Sequence, residues 1–125
     1  MRFALAIAAA SLVSCTTTIS HEKVAGWPAL AVVEHHLPHQ QMLARCARWA
    51  QGMTPLACAE FDFAAARCDI FYSAERPPSR AIVAHERLHC QGHDHAGETA
   101  MREHLARYRA WQTAANKIGS DPISR

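Results

Sequence analysis

Apolar positions recur along this chain at two spacings, and the places where the spacing changes divide it into elements. After an almost unbroken apolar run at residues 4–13, residues 16–26 are polar and read as a short tether. Residues 29–33 are apolar and partly β-branched, the pattern of a buried strand. From Pro38 the spacing becomes helical, with Met42, Cys46 and Trp49 recurring every three to four residues as far as Gly52. Residues 56–63 and 67–73 alternate, which predicts a β-hairpin. Two prolines then break the strand, and Ser79 can cap a helix whose buried stripe is Ala81, Ala84 and Leu88, with Ile82 at its flank. A last helix follows Ala96, with Met101, Leu105, Tyr108, Trp111, Ala115 and Ile118 on one stripe, and ends near Gly119. The predicted class is α+β, a small antiparallel hairpin packed on about three helices.

Composition narrows the setting. One basic residue, Arg2, precedes the apolar run, and small residues close it; residues 1–14 therefore read as a signal peptide. The mature chain of about 111 residues is one small domain, short enough for cross-links and a metal to add usefully to its stability. With 13 basic and 11 acidic residues in all, it carries no nucleic-acid footprint. Leu12-Val13-Ser14-Cys15 resembles the lipobox of bacterial lipoproteins. That resemblance implies cleavage before Cys15 and its acylation; Thr16, in place of the Asp used for inner-membrane retention, implies an outer-membrane protein facing the periplasm. Residues 1–14 are then the signal, 15–26 the tether and 27–125 the domain.

In an oxidising periplasm the four remaining cysteines, Cys46, Cys58, Cys68 and Cys90, are expected to pair, and three connectivities are open. Cys58 and Cys68 are symmetric about position 63, which suits opposite strands of the hairpin and would leave Cys46 for Cys90.

The chemistry concentrates in His85-Glu86-Arg87-Leu88-His89-Cys90-Gln91-Gly92-His93-Asp94-His95. On a helix His85 and His89 lie one turn apart on one face with Glu86 beside them. Zinc is held by such imidazoles with a position left open for water, whose proton an adjacent Glu can take. With 9 His in 125 residues a bare H-E-x-x-H is a modest signal, but Gly92 and His95 in addition bring a chance match to about one in ten thousand. Gly92 can end the helix in the left-handed region and turn His95 back toward the metal. His93 is the alternative third ligand, and Asp94 is read as an acceptor that fixes an imidazole tautomer. Glu98, Glu103 and His104 are weaker candidates; His35, His36 and His39 read as surface loop residues, and Glu60, Asp62 and Asp69 as solvent-facing strand residues.

The string His85-Glu86-x-x-His89-x-x-Gly92-x-x-His95 resembles the zinc signature of the metzincin metallopeptidases. The resemblance implies His85, His89 and His95 as ligands of one zinc, Glu86 as general base, and a strand before the motif helix, here residues 68–72, at the rim of a peptide cleft. Those families place a Met-containing turn well downstream, whereas here the only later Met is Met101, six residues past His95. The metal site of the bacterial rRNA-maturation endoribonucleases is also similar, but it usually carries Gly where this chain has Glu86. The expected activity is therefore zinc-dependent cleavage of peptide bonds in the cell envelope. A non-catalytic zinc-binding lipoprotein subunit of an envelope or secretion assembly is the first alternative, and a metal-dependent endoribonuclease the second.

Overall fold

The alternation over residues 56–73 produces the hairpin it predicts. The computed structural model describes residues 19–120, so the apolar leader and Cys15 lie outside the described residues. In chain order the elements are β1 (His21–Lys23), β2 (Ala31–Leu37), α1 (His39–Cys46) with a 3-10 turn over Ala47–Trp49, β3 (Ala57–Asp62), β4 (Arg67–Ser73), α2 (Arg80–Cys90), β5 (His93–His95) and α3 (Ala100–Ser120). The class is α+β, with three helices, an antiparallel hairpin and two disulfides among the described residues.

The hairpin pairs Ala57 with Tyr72 and Asp62 with Arg67. Asp62 also accepts the Ala65 N–H at 2.9 Å, which holds the turn. On its other side β4 takes β2 in parallel, so the order is β2-β4-β3 and β4 lies in the middle. Two expectations change as a result. The strand expected at residues 29–33 starts later, includes His35 and His36, and forms an exposed edge, with Val32 and Val33 45% and 37% exposed. Asp69 is not solvent-facing: β2 runs alongside it, leaving it buried. Its burial raises the carboxyl, but hydrogen bonds from His35 at 2.7 Å and Arg67 at 2.8 Å outweigh that and hold it below the usual range.

Alternation of side chains explains the disulfides. Cys58 stands opposite Phe71 and Cys68 opposite Phe61. Positions 58 and 61 are three apart on one strand, so Cys58 and Cys68 point to opposite faces of the sheet and cannot bond. Each instead bonds to a helix on its own face: Cys46 of α1 with Cys58, and Cys68 with Cys90 of α2. The first bond sits in a cluster of Met42, Cys46, Cys58 and Phe71, the second in one of Cys68, Ile70, Tyr72 and Cys90.

α1 and α2 begin where the sequence predicts, α3 begins at Ala100 and not directly after Ala96, and the buried faces of α2 and α3 differ from expectation. Ser79 caps α2 by accepting the Ile82 N–H. With Cys90 bonded to Cys68, the face that meets the sheet carries Val83, Glu86 and Cys90, while Ala81 and Ala84 are exposed. On α3 only the first part of the predicted stripe is core: Met101 and Leu105 are buried with Val24 and Phe63, whereas Trp111 and Ile118 are 61% and 78% exposed. A 21-residue helix is about 32 Å long and outruns what it packs against. The polar segment before residue 26 is also more than a tether, because β1 pairs with β5 and Val24 is buried.

Candidate metal centre

The four-residue spacing on α2 sets the rings of His85 and His89 at 4.6 Å between centroids, edge to face, with their Nε2 atoms 3.1 Å apart. The chain then reverses. Gln91 closes the helix through its N–H, and Gly92, at φ +86°, turns into β5. That turn brings His95 back over the helix, where its Nε2 is also 3.1 Å from the Nε2 of His85. Four imidazoles, those of His21, His85, His89 and His95, have ligating atoms within 4.8 Å of one another, so the cluster could hold a metal ion.

The donor set fits such an ion. Nitrogens held tetrahedrally at about 2.0–2.1 Å lie about 3.3 Å apart, close to the two Nε2–Nε2 separations of 3.1 Å. Two of the rings, His85 and His89, are also poised to act as neutral donors. Burial pushes His89 down to about 4, further lowered by His85, His95 and His21. His85 is lowered by burial and by the same crowding from His95 and His21. Hydrogen bonds on the far ring nitrogens fix orientation: His89 Nδ1 lies 2.7 Å from the carbonyl of His93, and His95 Nδ1 lies 3.1 Å from Glu98 Oε2. A proton on Nδ1 leaves Nε2 free to bind metal.

Glu86 faces the sheet from the same helix turn and is 7% exposed. Burial raises its carboxyl to about 7, against a smaller lowering pull from His95. It lines the same cleft as His85, His89 and His95, a volume of about 630 Å3 whose other walls include Trp49, Met53, Leu56 and Ile82. The strand at this cleft is β3, which contributes Ala57, Ala59 and Phe61. It is not β4, as the sequence led us to expect. Both edges of β4 are occupied by neighbours, so its backbone has no free side to offer a peptide.

The remaining site residues fall in distinct places. His93 is outside the four-ring cluster; its carbonyl serves His89, and its Nδ1 is buried without a partner. Asp94 does not accept from an imidazole. Its oxygens take the backbone N–H groups of His95 at 2.9 Å and Met101 at 3.1 Å, tying β5 to the start of α3, which otherwise has unsatisfied donors. Glu98 fills the role first given to Asp94. Among the three outlying histidines, His35 bonds to Asp69 and stacks on Phe71, and His39 reaches the Ser73 hydroxyl. His104 packs against Phe63. His21 was missed, and no spacing rule could have found it, since its neighbour His85 lies 64 positions away.

Gly92 is required twice over. Its φ is one that side chains rarely adopt, and an added Cβ would come within 2.3 Å of Trp27 Cγ. Trp27 cannot easily withdraw, because its indole N–H donates to the Cys90 carbonyl at 3.0 Å. Gly92→Ala should therefore cost about 3 kcal/mol or more, combining backbone strain with overpacking. Urea unfolding measures this, and a midpoint equal to wild type would refute it.

Comparison with protein-family models, with curated proteins and with solved structures returns no match for this chain.

Proposed function

We propose that the protein is a zinc-dependent hydrolase that cleaves peptide bonds in the bacterial cell envelope, tethered to the outer membrane through lipid on Cys15. The observation that carries the proposal is the convergence of the Nε2 atoms of His85, His89 and His95 in one cleft with the buried carboxyl of Glu86. Three neutral imidazoles suit zinc, and when bound a zinc ion there supplies Lewis acidity and makes water acidic enough to lose a proton near neutral pH. Glu86 would take that proton as water attacks the amide carbonyl and pass it to the departing nitrogen. Burial raises this carboxyl in the metal-free site, which favours its holding the proton between the two transfers. The apolar walls of the cleft favour a peptide over a polyanion, and the overall charge of +2 offers RNA little attraction.

One observation favours a second reading. His21 brings a fourth imidazole to the cluster, and a closed four-ligand site would be structural, as expected of a non-catalytic subunit of an envelope assembly.

The test measures metal by mass spectrometry in wild type and in His85→Ala, His89→Ala and His95→Ala, alongside cleavage of a mixed peptide library. One zinc per wild-type chain is expected, with loss in each variant and with peptide cleavage that chelation abolishes and zinc restores. Equal zinc in all four proteins would defeat the metal site. Full zinc without cleavage would favour the structural subunit. Globomycin-sensitive processing at Cys15 tests the anchor.

A further inference from the structure

We infer that His21 is a positioning residue of the histidine centre, an acceptor on the N-terminal strand that fixes the tautomer of His85. The inference rests on the ligand set of the preceding section but does not depend on catalysis.

An imidazole that offers its Nε2 lone pair to a metal carries its proton on Nδ1, and a half-buried N–H needs an acceptor. Two of the three inward rings have one from the α2–α3 segment: the His93 carbonyl for His89 and Glu98 for His95. The third acceptor comes from the opposite end of the chain. His21 Nε2 lies 3.2 Å from His85 Nδ1, completing a set in which every inward-facing ring is held by its outer nitrogen.

The strand that delivers His21 is clamped to the segment carrying His95. His21 is in register with His95, and the carbonyl of Ser20 accepts the Ala96 N–H at 2.9 Å. Val24 N–H donates to the Gly92 carbonyl at 2.8 Å, and the Lys23 ammonium donates to the Gln91 carbonyl. The His21 ring meets His85 edge-on at 4.9 Å between centroids, and stands 5.8 Å and 5.6 Å from His89 and His95. These contacts hold the ring in one place, as a positioning residue requires.

The competing role is a fourth metal ligand, since all four rings are within mutual reach. The atoms in contact decide against it. His89 and His95 meet His85 at Nε2, while His21 meets it at Nδ1, the outer nitrogen. The centre is then three inner nitrogens with an open position, which is what hydrolysis needs and a structural site lacks.

The experiment uses the full chain and His21→Ala and His21→Gln, loaded with cobalt(II) or zinc. Metal affinity is read by competition with a chelator and the number of bound imidazoles by X-ray absorption, with circular dichroism confirming the fold. Three imidazoles are expected in all three proteins. Affinity should fall about 10–100-fold in His21→Ala and recover largely in His21→Gln, whose amide oxygen can accept the same proton. A count falling from four in wild type to three in the variants would overturn the inference in favour of a ligand, and unchanged affinity in His21→Ala would make His21 a bystander. Hydrolysis is not a readout here, so a wild type that binds metal but cleaves nothing would end the peptidase reading without touching this one.

Discussion

Glu86→Gln should keep a full complement of metal, lose hydrolysis by about 10²–10⁴-fold, the usual contribution of a positioned proton-transfer group, and yet be the more stable protein once metal is removed. The last expectation follows from burial. The Glu86 carboxyl rises from 4.5 to about 7 in the folded chain. Between those values the folded state holds the proton that the unfolded state has released, so stability falls as pH rises through that window. Above pH 7 the cost is of order 3 kcal/mol, and glutamine, which does not ionise, escapes it. The histidines act in the opposite sense. His89 drops from 6.5 to about 4, so the unfolded state binds the extra proton and stability rises with pH across that interval. His85, also lowered, adds to the same slope. In the metal-free wild type the two effects oppose each other between about pH 4.5 and 6.5. In Glu86→Gln only the histidine slope remains. Urea unfolding in chelator across pH 4–8 checks this, and parallel curves for the two proteins would remove Glu86 from the buried role. Equal hydrolysis would remove it from the mechanism.

The two disulfides should separate in their effect on metal although they are similar in their effect on folding. They close loops with separations of 12 and 22 residues, for which loop-closure entropy predicts losses of about 3 kcal/mol each. Cys46–Cys58 fastens α1 to the face of the sheet away from α2, so Cys46→Ala with Cys58→Ala should lower the unfolding midpoint and leave metal affinity nearly unchanged. Cys68–Cys90 fastens the end of α2, one residue past His89 and two before Gly92, where the chain turns to present His95. Cys68→Ala with Cys90→Ala should cost the same stability and, in addition, weaken metal binding by tenfold or more, the scale seen when groups that orient ligands are lost. Chelator competition on the two double variants measures the difference. Equal affinities would show that the roll of α2 is set by packing alone.

The outcome for individual residues shows which physical rules carry over from sequence to structure. Ser79 as a cap, the hairpin over residues 57–73 and the reversal at Gly92 were legible because each depends on chemistry within a few residues: a side-chain oxygen near free N–H groups, a period of two, a φ that glycine tolerates. The clustering of His85 with His89 was legible for the same reason, being the pitch of one helical turn. The disulfide pairing was not. Symmetry in sequence about residue 63 placed Cys58 and Cys68 opposite each other, but the register of the hairpin is offset from that centre and sends them to different faces. The placement of Asp69 and of the exposed strand β2 also depended on a partner, since nothing local says that a segment some thirty residues upstream will lie in parallel beside β4.

By itself, then, the chain's sequence determined its local elements, its α+β class and the two histidines one turn apart on α2, because helical pitch, strand alternation and capping act over short separations. Only the tertiary structure decided which cysteines bond, that Glu98 and the His93 carbonyl orient the rings while Asp94 ties β5 to α3, and that His21 joins the centre from the far end of the chain. Those outcomes turn on sheet order, strand register and the roll of a helix. Each is set by how faces pack together, which no spacing between neighbours encodes.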